Sequence, residues 1–248
     1  MIALSVNVNK VATLRNSRGG RVPSVTEAVA VCLAAGAPGI TVHPRADERH
    51  ITAADTREIA AEMRTAKAAR SGVEFNIEGD PRPDFIQLVL ETRPDQCTLV
   101  PVTPGELTSQ AGWSADTSPE RLTAIVKRLQ LEKIRVSIFV DPVEAAVRWA
   151  KRIGADRIEL YTEPFARDFA ASPAAGRAAF QAYASAAELA HGLGMGVNAG
   201  HDLDLDNLPL FRQLPYLDEV SIGHALISRA LFRGLDPVVR EYLAALNP

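Results

Sequence analysis

Cysteine is scarce in the 248-residue chain, and neither sign of charge is in large excess. Cys32 and Cys97 are too few for a disulfide framework or a four-thiolate metal site, and each lies in an apolar pattern typical of a small buried side chain. Lys and Arg number 27 and Asp and Glu number 30, which gives a net charge of −3. This balance excludes the broad basic field of a nucleic-acid or membrane-surface protein, whereas a local basic cluster could still bind a small anion.

Long apolar runs are also absent, since no segment approaches the ~18 residues of a membrane span. The first ten residues, MIALSVNVNK, lack the basic segment and the apolar core of a signal peptide. We therefore expect a cytoplasmic protein with reduced thiols. Charged residues make up 23% and hydrophobic residues 47% of the chain, as in ordinary globular proteins. The length predicts one domain over residues 1–248.

Short β-branched segments alternate with segments of helical spacing along the whole chain. Strands are predicted at residues 3–8, 39–43, 74–78, 96–100, 135–140, 157–161, 196–199 and 219–222. Helices are predicted at residues 25–35, 52–69, 84–91, 119–131, 143–153, 176–193 and 205–214. Eight βα units in about 250 residues are typical of a (β/α)8 TIM barrel, an α/β fold, here with extra short helical segments in the βα loops. An open doubly wound sheet is the main alternative, but no glycine-rich phosphate motif follows the first strand.

Alternate residues of the predicted strands differ in polarity. One face is apolar and suits contact with outer helices, whereas the other face is polar and is expected to point into the barrel. Barrel interiors are usually apolar, and an unpaired buried polar group costs several kcal/mol. A ligand or a hydrogen-bonded reaction site is the favoured explanation; an antiparallel sheet with one wet face is the alternative. The polar set is Ser5, Asn7, Thr41, His43, Asn76, Glu78, Glu159, Asn198 and Ser221.

Histidines are concentrated at or just after the carboxyl ends of the predicted strands, where barrel proteins carry their working groups. His43, His50, His201 and His224 lie there, whereas His191 lies in a predicted helix. A structural role is the alternative for any one of them, but the four together favour general acid–base chemistry.

Basic residues follow the first two strands. Gly223 precedes a predicted helix, whose N-terminus favours a phosphate, so we expect a substrate with one or two phosphates. A solvated charged loop is the alternative for the basic residues. These are Lys10, Arg15, Arg18, Arg21, Arg45 and Arg49.

The segment after the fourth strand, residues 101–118, is long and rich in Pro, Gly, Ser and Thr. We interpret it as a lid in which Thr108 contacts substrate and Trp113 packs on closure; a plain surface loop is the alternative.

The histidines and glutamates at the strand ends could in principle bind zinc or manganese. No His-x-His or His-Glu-x-x-His spacing supports that reading.

Six segments together resemble the pyridoxine 5′-phosphate synthases, which close the ring in vitamin B6 synthesis. The match runs nearly end to end and in order, and it is specific as a combination rather than in any single segment. The segments are residues 6–19 (VNVNKVATLRNSRG), 39–45 (GITVHPR), 49–52 (RHIT), 76–78 (NIE), 197–201 (VNAGH) and 221–225 (SIGHA).

The resemblance implies condensation of 1-deoxy-D-xylulose 5-phosphate with 3-amino-2-oxopropyl phosphate to pyridoxine 5′-phosphate, phosphate and water, without metal or organic cofactor, in a homo-octamer built from dimers. It implies that His43 and Glu78 accept protons, that His201 donates one, and that Glu159 stabilises a transition state. Contacts to the amino-ketone phosphate are implied for Asn7, Arg18, Asp202, Gly223 and His224. Contacts to the sugar phosphate are implied for Asn9, Lys10, Arg45, His50 and Thr108.

Two positions depart from the family pattern. Many members have Asp-His where this chain has Asn9-Lys10, which removes a carboxylate and an imidazole while keeping a cation. The family glycine after the strand-seven histidine is Asp202 here, and its side chain would have to point away from a phosphate. The alternatives in function are a metal-dependent sugar-phosphate epimerase or isomerase on the same barrel, and a non-catalytic phosphosugar-binding barrel.

Overall fold

Eight parallel strands form the centre of the protein in the computed structural model, which describes residues 1–101 and 111–248. Each strand pairs with the next in chain order and β8 pairs with β1, so the barrel is closed. The predicted α/β-barrel fold is confirmed. The strands are β1 (Ala3–Asn7), β2 (Gly39–Val42), β3 (Glu74–Gly79), β4 (Gln96–Leu99), β5 (Arg135–Val140), β6 (Arg157–Tyr161), β7 (Gly196–Gly200) and β8 (Leu217–Ile222).

Helices surround the barrel, and the additional ones beyond one per strand lie in the connections after β1, β6 and β8. Within the described ranges, every helix is too short or too polar to cross a membrane. The helices are α1 (Asn9–Asn16), α2 (Val25–Ala34), α3 (Ala53–Ala69), α4 (Pro83–Thr92), α5 (Pro119–Leu131), α6 (Glu144–Arg152), α7 (Glu163–Ala171), α8 (Pro173–Gly192), α9 (Leu208–Phe211), α10 (His224–Arg233) and α11 (Leu235–Leu246).

The apolar core lies between the strands and the outer helices. The outward strand residues, such as Val6, Ile40, Ile77 and Ile158, are fully buried there, as the alternation predicts. Both cysteines are buried and unpaired, and burial raises the pKa of the Cys32 thiol to about 12. The two thiols are therefore small core side chains, as expected.

The inside of the barrel is polar and hydrogen-bonded in layers. In the middle layer the Ser5 and Thr41 hydroxyls lie 2.6 Å apart, and Asn76 Nδ2 donates to Thr41 Oγ1 at 3.3 Å. Thr98 Oγ1 lies 3.2 Å from Asn76 Oδ1. These side chains are buried, so their mutual bonds offset the desolvation that polar burial costs.

A second layer lies nearer the amino ends of the strands. Arg135 Nε and Asn198 Nδ2 both donate to Gln96 Oε1, at 2.9 and 3.2 Å. Gln96 Nε2 donates to Glu219 Oε1 at 3.3 Å, and Arg157 donates to Asn198 Oδ1 at 2.8 Å. This hydrogen-bonded layer therefore occupies the lumen nearer the amino ends of the strands.

Candidate active site

A cavity of about 560 Å³ lies at the carboxyl ends of the strands. The structure brings most of the predicted site residues together around it. They are Asn7, Asn9, Lys10, His43, Arg45, His50, Glu78, Glu159, His201, Asp202, Gly223 and His224.

Two asparagines join the ends of three neighbouring strands. Asn7 Nδ2 donates to Glu78 Oε2 at 3.4 Å, and Asn7 Oδ1 accepts from the Asn9 amide at 3.1 Å. Asn9 Oδ1 in turn accepts from the His43 backbone N–H at 2.9 Å. Gly223 permits this arrangement, because a Cβ there would lie 3.0 Å from Asn7 Cβ. The Asn9 amide oxygen is therefore used to position His43.

His43 and Glu78 face each other at the floor of the cavity, with His43 Nδ1 3.9 Å from Glu78 Oε2. Burial, reinforced by the charges of Arg45 and Arg82, lowers the pKa of His43 to about 3. Burial also raises the pKa of Glu78 to about 7. His43 Nε2 has no hydrogen-bond partner among the described residues. At neutral pH the pair is therefore a neutral imidazole with an open nitrogen beside a carboxyl group whose pKa is shifted toward neutrality.

Glu159 lies deeper in the lumen, where its protonated form is favoured. Burial raises its pKa well above the usual value, and the Glu78 carboxyl group adds to the effect. Thr98 Oγ1 is 3.2 Å from both Glu159 Oε2 and Asn76 Oδ1. The Thr98 hydroxyl can donate its one proton to only one of these two oxygens. If Glu159 is protonated, it donates to Thr98 Oγ1, and Thr98 donates to Asn76 Oδ1, so both contacts are hydrogen bonds. A Cβ at Gly200 would lie 2.6 Å from Glu159 Oε1, which explains glycine there.

Positive potential reaches the cavity from two helix N-termini and two side chains. Helix α1 begins at Asn9 and helix α10 begins at His224, after Gly223 at the N-cap. At the α10 N-terminus, free N–H groups and the helix dipole favour an anion. At α1 the Asn9 N–H is already donated to Asn7 Oδ1, so there the helix dipole supplies the positive potential. Lys10 and the buried Arg45 add their charges. The cavity therefore offers two places for phosphate groups.

His50 presents one defined nitrogen to the cavity. The Ile51 backbone N–H donates to His50 Nδ1 at 2.9 Å, so Nδ1 is an acceptor and a neutral ring carries its proton on Nε2. Burial, together with the charges of Arg45 and Lys10, lowers the pKa of His50 to about 4. His50 is thus a neutral hydrogen-bond donor rather than a cation.

His201 and Asp202 follow β7 in an uncommon backbone conformation, with φ of 90° and 57°. His201 Nδ1 lies 3.2 Å from Asp202 Oδ2, and the Tyr161 ring packs against the imidazole edge-on at 5.5 Å. The hydrogen bond to His201 lowers the pKa of Asp202. The Asp202 side chain is therefore held as a carboxylate against the neighbouring histidine.

The basic cluster predicted after the first strand is only partly a site feature. Arg15 lies in α1 and forms a two-pronged ion pair with Asp55, at 2.5 and 2.8 Å. Arg18 and Arg21 are exposed. Lys10, Arg45 and Arg49 line the cavity, whereas Arg15, Arg18 and Arg21 do not. The prediction of a loop was wrong here, because residues 9–16 form a helix that turns Arg15 toward α3.

Several lining residues were not predicted. Val100, Phe139 and Tyr161 pack together as a small apolar cluster, and the first two line the cavity. Thr13 of α1 also lines it. Phe139 could have been found, because it occupies an inward position in the alternation of β5. Thr13 required knowledge that α1 is helical.

The predicted lid falls largely on residues whose structure is not described, and Thr108 lies outside the described residues. Trp113, at its edge, is already packed: its indole N–H donates to the Leu99 carbonyl at 2.9 Å. Its ring stacks on Trp149 with centroids 6.2 Å apart. Trp113 therefore anchors the chain beside β4.

The fold and the cavity define the class of protein. It is a (β/α)8 barrel with a cavity at the carboxyl ends of its strands, and histidine, glutamate and cationic side chains line that cavity. Within the described ranges, no group of three or more His, Cys, Asp or Glu side chains is arranged to hold a metal ion. The sequence profile of the family described as pyridoxal phosphate biosynthesis protein PdxJ matches residues 4–248. The chain belongs to this family.

Curated relatives match over essentially their whole length. A pyridoxine 5′-phosphate synthase of Flavobacterium johnsoniae is 51% identical over 248 residues, covering 100% of both chains. The enzyme of the same name from Porphyromonas gingivalis is 51% identical over 243 residues, covering 98% of both chains. That from Leptospira biflexa is 50% identical, covering 100% of this chain and 98% of its own.

Solved structures support the fold alone. A thiamine phosphate pyrophosphorylase from Pyrococcus furiosus superposes with a TM-score of 0.64 at 13% identity, covering 99% of this chain and 95% of its own. A phosphoribosyl anthranilate isomerase from Thermus thermophilus superposes with a TM-score of 0.57 at 15% identity, covering 99% and 98%.

Proposed function

We propose that the chain is a pyridoxine 5′-phosphate synthase that condenses 3-amino-2-oxopropyl phosphate with 1-deoxy-D-xylulose 5-phosphate. The products are pyridoxine 5′-phosphate, inorganic phosphate and water. One observation carries the proposal: His43, Glu78 and His201 meet in a cavity entered by two helix N-termini. Relatives with this name are about half identical over the full chain.

Proton removal is assigned to His43 and Glu78. The amine condenses with the sugar ketone, and enolisation of the resulting imine requires a base near neutral pH. The low pKa of His43, about 3, keeps its ring neutral, and its Nε2 has no partner in the described part of the chain. Burial raises the pKa of Glu78 to about 7, which suits a base that works near neutral pH. Both groups are thus available as acceptors.

Proton donation is assigned to His201, and Glu159 acts as a neutral hydrogen-bond donor. Loss of the sugar phosphate and of water requires protons delivered to leaving oxygens. His201 lies on the cavity rim next to the α10 N-terminus. Burial raises the pKa of Glu159 well above its usual value, which favours the protonated form. We infer that Glu159 stabilises a developing oxyanion by donating a hydrogen bond, in the way that oxyanion holes do.

Phosphate binding is assigned to the cationic walls. The α10 N-terminus, with Gly223 and His224, suits the amino-ketone phosphate. Lys10, Arg45 and the Nε2–H of His50 suit the sugar phosphate. Asn9, which aligns with an acidic family position, is engaged with the His43 backbone, so its role is support of His43 rather than proton transfer.

A homo-octamer in the cytoplasm is part of the proposal. Leu231 and Phe232 at the end of α10 are 65% and 91% exposed, and such an apolar surface suits contact with a second copy. Light scattering of the purified protein tests this assembly.

Complementation tests the proposed function. A bacterium that lacks its own pyridoxine 5′-phosphate synthase should grow without added vitamin B6 when it carries this chain. The matched variant Glu78→Gln should not restore growth. Failure of the wild-type chain, expressed in folded form, would contradict the proposal.

Dialysis against EDTA tests the alternative of a metal-dependent epimerase or isomerase. That alternative would be favoured if the untreated protein holds a divalent ion and if dialysis abolishes activity.

A further inference from the structure

Asp202 directly follows His201 in the chain, and its carboxylate is directed at the His201 ring. Asp202 Oδ2 lies 3.2 Å from His201 Nδ1. The backbone holds both residues at positive φ, 90° for His201 and 57° for Asp202. Aspartate tolerates this region better than most residues, because its short side chain can bond locally. The strained turn therefore serves to bring the carboxylate beside the ring.

His201 makes two further contacts, one through its ring and one through its backbone carbonyl. Tyr161 contacts the ring edge-on, with ring centroids 5.5 Å apart, and the Thr162 hydroxyl donates to the His201 carbonyl. A carboxylate accepts but cannot donate, so the contact with Asp202 requires a proton on Nδ1. Nε2 is then the nitrogen left for the cavity that His201 lines.

Basic groups around Asp202 compensate the negative charge of its carboxylate. Beyond His201, the positive groups that lower its pKa are His224 on α10 and Lys10 on α1. Lys10 and Asp202 bring opposite charges to the same cavity, so Lys10 offsets the repulsion that the carboxylate would otherwise exert on a bound phosphate.

We propose that Asp202 is a positioning residue for His201. Its carboxylate accepts the Nδ1–H, fixes the ring orientation, and stabilises the imidazolium that donates the Nε2 proton to the leaving oxygen of the substrate. After transfer the ring remains as the neutral Nδ1–H tautomer. The catalytic part of this inference rests on the proposed function, whereas the hydrogen bond itself does not.

Two readouts test the proposal in Asp202→Gly and Asp202→Asn, both of which suit a positive φ. Selective ¹⁵N-histidine labelling reports the His201 tautomer by NMR, with the signal assigned from His201→Asn. Steady-state kinetics report kcat and KM for both phosphate substrates. We expect the wild type to hold the Nδ1–H tautomer in its neutral ring and Asp202→Gly to lose that preference. We expect kcat to fall about tenfold in Asp202→Gly, with KM changed less than threefold.

Asp206→Asn is the matched control, because it removes an equal, exposed charge four residues away and should leave both readouts unchanged. Asp202→Asn keeps an acceptor oxygen and should lie between wild type and Asp202→Gly. An unchanged tautomer in Asp202→Gly, a kcat loss below threefold, or an effect confined to KM would each overturn the proposal. If the wild type makes no product, the proposed function fails, and the tautomer still decides whether Asp202 orients His201.

Discussion

Replacing Glu78 by Gln removes a titratable group from the cavity floor while keeping its size. Glu78 Oε1 accepts from the Ser221 hydroxyl at 3.3 Å, and Gln can keep that contact. Burial raises the pKa of Glu78 to about 7, an effect that Glu219 increases and that His201 and Ser221 oppose. The base form is therefore about a tenth of the total at pH 6 and about nine-tenths at pH 8.

This titration predicts an acidic limb in the pH profile of kcat/KM. The wild-type rate should rise roughly tenfold per pH unit below pH 7 and level off above it. Glu78→Gln should lower kcat/KM at pH 8 by roughly 10²-fold or more and abolish the limb. His43 cannot produce a limb at this position, because its pKa is about 3.

Measuring the thermal stability of Glu78→Gln distinguishes the loss of a catalytic base from the loss of the fold. The folded-state pKa of Glu78 lies above the unfolded value of 4.5, so ionisation near pH 8 destabilises the folded protein. Glu78→Gln should therefore unfold at the same temperature as wild type or higher at pH 8. The assay is product formation from pH 5.5 to 9 beside thermal denaturation. A kcat/KM within threefold of wild type, or a wild-type profile without a limb between pH 6 and 8, would show that Glu78 is not the titrating base.

Three further predictions concern neighbouring residues. His43→Asn should lower kcat roughly 10²-fold or more with the fold intact by circular dichroism; turnover within threefold would contradict its role. Asn9→Ala should leave the His43 N–H unsatisfied and cost about 1–3 kcal/mol of stability by urea unfolding, whereas Asn9→Asp, which keeps the acceptor, should not. The folded-state pKa of Glu219 is about 7, so its ionisation removes stability as the pH rises from 4.5 through 7. Glu219→Gln should therefore raise the unfolding free energy by about 1–3 kcal/mol at pH 8 but not at pH 5, and equal effects at both would refute this.

The polar lumen could be predicted from the sequence because side chains in strands alternate strictly between two faces. Asn7 and Glu78 share the inward face of β1 and β3, and the barrel fold then brings them into contact. The histidine positions were predictable for a related reason: parallel strands end at one rim, so groups far apart in sequence meet there.

Helix α1 could not be predicted from the spacing of apolar residues. It has eight residues and only Val11 and Ala12 are buried, so its apolar period is too short to recognise. Reading it as a loop grouped Arg15 with the site, although that charge is matched by Asp55 of α3. The partner of a long side chain depends on which helix packs beside it, which a single sequence does not contain.

The direction of the Asp202 side chain could not be predicted from the sequence either. Sequence reasoning required only that it avoid a phosphate, and the positive φ at 201 and 202 turns it onto the preceding histidine. The same limit holds for His50, whose tautomer follows from one backbone N–H of Ile51.

We propose that this cavity builds the pyridoxine ring from two phosphorylated precursors. The most direct measurement mixes the purified chain with 3-amino-2-oxopropyl phosphate and 1-deoxy-D-xylulose 5-phosphate and follows absorbance, product mass and released phosphate together. We predict a product with the mass and spectrum of pyridoxine 5′-phosphate and one phosphate released per ring formed, with neither appearing when one substrate is omitted. A folded protein that yields no ring product from both substrates would contradict the account.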